Sequence, residues 1–415
     1  MFFPDDAVRV GVSAAVLGET GTRRDQRGRA DDQPDLGPAG RHGFLGPAVN
    51  GHCSTHSSQH TAARISRKFF RALSIVWSVF ACAAGTHAQS AGSSSAPGGA
   101  AEPYPNMPSI APIGVRIGKY LDVPASAQGP AVDPGKGYRL QQLGSGLYMV
   151  TDNAYQSMFL VYDRGVVVID APPVYAAHIL QAIAEVSDKP ITHIVYSHSH
   201  IDHIAGAKAL GGHPIIIAHE ETLRLLKRAA DPNRPLPSVT FSDKYTLHAG
   251  NQLLELSYHG NAHEPGNIFI YAPAHRVLMV VDVVFPGWMP WRRFALAQDI
   301  PGYFAQVEEI GKMDWDIFVG GHVARTGTHA DVNVQTEFNR DVRQAAATAL
   351  ATTKPGEGLN PLDKANPWAF FDHYIDRVAA QCVNALTPRW SSRLGGFDVY
   401  IWDQCYAMEQ SLRIE

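Results

Sequence analysis

Between residues 197 and 203 the chain reads Ser197-His198-Ser199-His200-Ile201-Asp202-His203, directly behind the β-rich run Ile191–Tyr196. The run predicts a buried strand, and Ala205–Leu210 behind the motif predicts a helix, so the polar cluster falls at a strand-to-helix junction. On extended backbone His198 and His200 project to the same side. Asp202 and His203 follow in the turn, so one short stretch can feed two adjacent metals rather than one. Imidazole and carboxylate ligands suit zinc. The bland alternative, a solvated His-rich turn, does not account for the buried strand leading into it.

Such a site needs further ligands, and strand ends downstream offer them. His263 lies in the turn Gly260–Gly266 behind the run Leu253–Tyr258, Asp282 closes Val277–Val281, and His322 follows Phe318-Val319-Gly320-Gly321. Asp170 closes Val166–Ile169 in the same way. An ionised carboxylate at the end of a buried strand is costly without a partner. Other histidines, His193, His213, His219, His259 and His275, read as structural.

The surrounding texture predicts an α/β protein. Short β-rich runs at Leu147–Thr151, Ser157–Tyr162, Val166–Ile169, Pro214–Ala218, Ile268–Tyr271 and Ile317–Val319 alternate with helical spacing, as at Ile179, Ile183 and Val186. Mixed clusters of this kind indicate sheets covered by helices. After Ala330 the pattern is helical. Phe338, Val342, Ala345 and Ala349 form one stripe, and Asn366-Pro367 supplies an N-cap with Pro at the first position. Behind it Trp368, Phe371, Ile375, Val378 and Cys382 share a face, and Ile401, Cys405 and Met408 form a last stripe.

Taken in order, Asp170, the His-x-His-x-Asp-His segment, His263 and the Asp282…His322 pair resemble the metallo-β-lactamase superfamily over roughly 138–330. The resemblance implies an αββα sandwich with an added helical C-terminal region, and a site at one edge of the sandwich. It implies that His198, His200 and His263 hold one metal, that Asp202, His203 and His322 hold a second, and that Asp282 bridges both. Asp170 would orient a ligand from behind. Two Zn²⁺ are expected, with iron or manganese as alternatives. Asp202 and Asp282 are the expected catalytic carboxylates in a hydrolase whose metals share a hydroxide that attacks a carbonyl carbon.

For the substrate, departures from relatives are informative. β-Lactamases use Cys, or no protein bridge, where this chain has Asp282, and often a Lys where it has Phe285. The Asp bridge is more like hydroxyacylglutathione hydrolases and acyl-homoserine lactonases, although the lactonases carry a Tyr at the Phe285 position. Esters, lactones, thioesters and amides are therefore the expected classes. A β-lactamase and an iron-dependent sulfur dioxygenase are the alternatives, and a nuclease or phosphodiesterase of the same fold ranks last. Phe285, Trp288, Met289, Trp291 and Phe294 crowd behind Asp282 with Arg292 and Arg293 among them. As pocket lining, Phe285, Trp288, Trp291 and Arg292 would select a small molecule with an apolar portion and a carboxylate; a packed loop is the alternative.

Composition bounds the partners. With 45% hydrophobic and 18% charged residues the chain is not wholly disordered, and no apolar run reaches the ~20 residues of a membrane-spanning helix. Residues 1–63 lack periodicity and read as a disordered extension. Residues 64–88 combine a basic block (Arg64, Arg67, Lys68, Arg71), the uncharged run Ala72–Gly85 and the exit Thr86-His87-Ala88, which together describe a secretory signal. A buried helix, or lipidation at Cys82, would be the alternative uses of this segment. Because the signal begins so far in, translation is expected to start downstream of Met1, and the mature protein near Gln89 is expected to be periplasmic or secreted. The chain as a whole carries −4, and without residues 1–88 it carries 25 Lys/Arg against 32 Asp/Glu. That balance argues against a nucleic-acid partner. Residues 89–137 read as a Pro/Gly/Ala-rich linker or a segment draped over the surface. Cys382 and Cys405, the cysteines left after cleavage, are expected to pair in an oxidising compartment.

Overall fold

A computed structural model describes residues 120–415. The expected extension, the signal segment and most of the linker lie outside the described residues.

The first sheet contains β1 (Arg139–Gly144), β2 (Leu147–Thr151), β3 (Gln156–Tyr162), β4 (Gly165–Ile169), β5 (Ile191–Val195), β6 (Ile215–His219) and β7 (Val239–Phe241), side by side in chain order. The first four strands pair antiparallel and the rest are parallel. The second sheet, built from β8 (Lys244–Ala249), β9 (Gln252–Tyr258), β10 (Ile268–Ala272), β11 (Val277–Val280) and β12 (Ile317–Val319), is antiparallel except for the last pair. The parallel steps require crossovers, which α1 (Ala176–Val186), α2 (Ile201–Ile204), α3 (Glu220–Ala229), α4 (Arg292–Leu296) and α5 (Ile300–Lys312) supply. α6 (His329–Thr352), α7 (Pro361–Lys364), α8 (Pro367–Trp390) and α9 (Phe397–Ile414) follow the last strand.

Strand alternation builds the layers. In β4, Val167 and Ile169 enter a core that Leu247, Leu254, Ile270 and Met279 close from the second sheet, whereas Val166 and Val168 pack outward against Ile179 and Ala182 of α1. In β11, Val277 and Met279 face the first sheet while Leu278 and Val280 join Tyr303, Phe338, Trp390 and Ile401 from the helices. A period of two on strands buried from both sides gives the four layers helix–sheet–sheet–helix. This is the αββα sandwich with a helical C-terminal region.

Some local expectations need correction. The helix anticipated over Ala205–Leu210 is the single turn α2 followed by a 3₁₀ turn at Ala207–Leu210. Gly206 lies at the break: a Cβ there would lie 2.5 Å from the Ala171 carbonyl oxygen, so the chain presses against the end of β4. The stripe expected from Trp368 to Cys382 is buried only from Ile375 onward, because the first turns of α8 stand clear of the core and leave Trp368 81% exposed. β1, β7 and β8 were not anticipated; β1 buries only Leu143 and its polar residues hide the pattern. Asn366 does cap α8, accepting from the Trp368 and Ala369 amides. Cys382 and Cys405 form a disulfide between α8 and α9. Among the described residues no helix is long and apolar enough to cross a membrane.

Candidate metal centre

All the ligand candidates sit at strand ends on one edge of the sandwich. Behind β5 the Ser197–His200 segment is held from the back by two carboxylates. Asp170 accepts the Ser197 amide at 2.8 Å and its hydroxyl at 2.6 Å. Glu264 accepts the Ser199 amide at 3.0 Å and its hydroxyl at 2.6 Å. Asp170 and Asp282, each ending a strand, both adopt left-handed backbone with φ of 58° and 63°. Asp tolerates this region better than a branched apolar residue does. The turn aims each carboxylate back over its sheet edge.

Two groups form. His198, His200, His263 and Asp282 make one, Asp202, His203 and His322 the other, and within each group one ligand atom per residue lies within 4.8 Å of the rest. Asp282 stands between them: Oδ2 is 3.2 Å from His263 Nε2 and 3.3 Å from His203 Nε2, and Oδ1 is 3.1 Å from His322 Nε2. His263 Nε2 approaches His200 Nδ1 to 3.0 Å, and His203 Nε2 approaches His322 Nε2 to 3.1 Å. Nitrogens bound to one zinc at ~2.0–2.1 Å in a tetrahedron lie only ~3.3 Å apart. His198 Nε2 and Asp282 Oδ1 are buried and have no hydrogen-bond partner. Converging lone pairs and orphaned polar atoms of this kind fit a pair of bound cations.

The electrostatics follow from burial and from the crowding of imidazoles around the carboxylates. Burial, reinforced by His200, His203 and His263, holds His198 well below its ordinary pKa, in the neutral form a ligand needs. Burial also lowers His200, with His263 adding to the effect. At His203 burial is outweighed by Asp282, helped by Asp202 and Asp170, and the pKa is pushed up to about 9. Burial would raise Asp282, but His203 and His322 hold its carboxyl well below the usual range. Asp170 is fully buried, and although His203 and Ser197 oppose the effect, its pKa rises to about 6. Its Oδ2 lies 3.9 Å from His203 Nδ1, behind the site.

A cleft of about 750 Å³ opens over these groups. Phe285, Trp288 and Trp291 line it together with Met289, Leu296 and Val323, so the aromatic crowd after Asp282 forms a wall rather than a packed loop. Three of the crowd, Arg292, Arg293 and Phe294, do not line the cleft. Arg292 is turned away into an ion pair with Asp403 at 2.8 Å, and Phe294 is fully buried in the helical core. The reason is local: Arg293, Phe294, Ala295 and Leu296 form a left-handed turn with φ between 51° and 59°. Each residue so placed costs ~1–2 kcal/mol. Gln404 of α9, itself fully buried, offsets this by accepting the Phe294 amide and donating to the Pro290 and Trp291 carbonyls. Val323, a branched residue at φ 67°, is a second strained position on the cleft. From the other side Trp288 donates to the Ala127 carbonyl at 2.7 Å, so the segment before β1 braces the wall.

Several contributors were not anticipated. Glu264 follows His263 directly but reads as an ordinary turn residue. Tyr155 packs its ring 4.7 Å from His322 and 5.8 Å from His203. Arg234 comes from a polar loop with no motif. Of the structural histidines, His259 is held by Ser257 and Glu309, His219 by Ser242 and Glu221, and His275 by Gln252.

Residues 151–344 match the family model described as the metallo-beta-lactamase superfamily, so the chain carries a domain of that superfamily. Among curated proteins it is similar to the 2,4-dinitroanisole O-demethylase subunit alpha of Nocardioides sp. (strain JS1661), with 27% identity over 210 residues. That match spans 49% of this chain and 61% of the relative's length. Among solved structures it is similar to a metallo-beta-lactamase from Pontibacter korlensis, with a TM-score of 0.43 and 18% identity over 49% of this chain and 99% of that one. TMB-1 is similar at a TM-score of 0.42 and 17% identity, over 49% and 97% of the two chains. Residues 151–344 thus form a domain of that superfamily, and its clustered His and Asp side chains are placed as a metal site requires.

Proposed function

We propose that the protein is an exported hydrolase that uses two zinc ions to cleave an ester, lactone, thioester or amide bearing an apolar group. The observation that supports this most directly is the placement of Asp282 between two complete ligand groups at the floor of a largely apolar cleft. A pair of divalent cations supplies a water acidified toward neutral pH and an electrophile for a substrate oxygen.

The chain's own residues then have distinct tasks. Asp282 offsets repulsion between the cations, which neutral imidazoles cannot do. Asp202 is the more exposed carboxylate, with its side chain 46% accessible and Oδ2 3.6 Å from His203 Nε2. At the edge of the cleft it can orient the attacking water and receive its proton at Oδ2. The aromatic wall excludes bulk water and seats the apolar part of the substrate. Export rests on the signal-like segment 64–88, and the net acidic mature chain favours a small-molecule substrate over nucleic acid.

A second reading draws on the same wall and on the demethylase relative: hydrolysis of an activated aryl methyl ether, with methanol released. Screening metal-loaded protein against lactones, aryl esters, thioesters, β-lactams and 2,4-dinitroanisole separates the two. Metal analysis should find close to two zinc ions per chain. A single iron with oxygen-dependent activity would sink the hydrolase reading.

A further inference from the structure

Among the residues lining the cleft, Arg234 is the one lysine or arginine. It sits on the loop between α3 and β7, from the first sheet, whereas the aromatic wall comes from the segment after Asp282. Its side chain is only 9% exposed. Nε donates to Asp231 Oδ2 at 2.9 Å and Nη1 to the Ser199 carbonyl at 2.6 Å. These bonds lock the guanidinium beside the His198–His200 segment. Arginine has five N–H donors, and Nη2 makes no hydrogen bond within the described residues.

From this geometry we infer that Arg234 is the anion-recognition group of the cleft, and that the substrate is an amphipathic anion. Its carboxylate, sulfonate or comparable oxyanion bonds to Nη2 while its apolar body lies on Trp288, Met289, Trp291 and Leu296. The inference rests on the cleft being the substrate site of the proposed hydrolase. A merely structural arginine would need only its bonds to Asp231 and Ser199. Here a rigid, nearly buried cation keeps one nitrogen without a protein partner beside an apolar-walled cleft, where a charge-assisted bond is stronger than on open surface. A planar fork suits an oxyanion better than a lysine would. Arg292, the residue the linear sequence offers for this task, is occupied by Asp403.

The test reads binding rather than turnover. Quenching of tryptophan fluorescence is titrated in metal-loaded, full-length protein with naphthalene-2-sulfonate and with the neutral methyl 2-naphthyl sulfone. The sulfonate is a poor zinc ligand, so its preference reports on the cleft rather than on the metals. Wild type should bind the sulfonate roughly 10-fold or more tightly than the sulfone, as a charge-assisted bond implies. Arg234→Gln, which keeps a donor for the Ser199 carbonyl, should abolish that preference and leave sulfone affinity and metal content unchanged. Arg234→Lys should retain part of it. Equal binding of the two probes by wild type overturns the assignment without any variant, and so does a preference that survives Arg234→Gln. Turnover plays no part in the readout, so a protein that hydrolyses nothing would sink the proposed function while leaving this result to stand or fall separately.

Discussion

Replacing Cys382 and Cys405 by alanine, singly and together, tests how the helical region supports the cleft. Both side chains are fully buried in the core shared by α8 and α9, and their disulfide closes a loop with a sequence separation of 23. In the chain-entropy treatment a loop of that length confers ~3.4 kcal/mol at 25 °C by restricting the unfolded chain. Loss of a buried sulfur adds a void term on the order of 1 kcal/mol per site. Either single substitution should therefore remove about 4 kcal/mol, and the double variant only about 1 kcal/mol more. Such non-additivity is the signature of a cross-link. Urea denaturation of each variant, with and without reductant, measures it. Reduced wild type should melt roughly 7–14 °C below the oxidised form. If the single effects are each near 1 kcal/mol and simply add, the cross-link does not stabilise the fold. Cys405 adjoins Gln404, so the reasoning extends to the site: variants lacking the disulfide should lose apolar-probe affinity before they lose metal.

Other expectations are more local. Asp282→Asn keeps the shape and removes the charge between the two groups, so zinc content measured by mass spectrometry should fall at both sites, while His263→Ala should chiefly weaken the first. Circular dichroism must show an intact fold in each case. Glu264→Gln removes the carboxylate that fixes Ser199 and should weaken metal affinity by ~10–100-fold; unchanged zinc titrations would refute that role. Gln404→Leu should raise KM for substrates with a large apolar group, with zinc content unaltered, because the left-handed turn behind the wall loses its bonds. Asp331 caps α6 and binds Arg325. Burial raises its pKa, but the Arg325 and Thr328 bonds outweigh burial and leave it lowered. A depressed folded pKa contributes stability that is present above the unfolded value near ~3.9 and is lost as pH falls through the folded one. Asp331→Asn should cost about 1 kcal/mol at pH 7 and progressively less below pH 4, read from urea midpoints.

Legibility differed by element. Strands buried on both faces, such as β4 and β11, are visible as apolar runs and are placed to within a residue. β1, β7 and β8 are not, since an edge or half-buried strand alternates with polar residues and its pattern dissolves over so few positions. Pocket residues were read from local crowding alone. That served for Trp288 and Trp291 but failed for Arg292, whose direction depends on a carboxylate far along the chain.

Strand ends carrying His198, His200, Asp202, His203, His263, Asp282 and His322 were determined by the linear sequence itself. A polar group closing an apolar run has few other places to go, and the spacing within 198–203 makes a shared site a local property. Only the tertiary structure decided what surrounds that site. Glu264 and Arg234 acquire their roles by meeting Ser199 across the fold. Gln404 acquires its role by reaching from the last helix into a turn that no neighbouring residue could hold. Contacts between residues distant in the chain leave no periodicity behind, because each side chain's task is set by which elements the packing brings together.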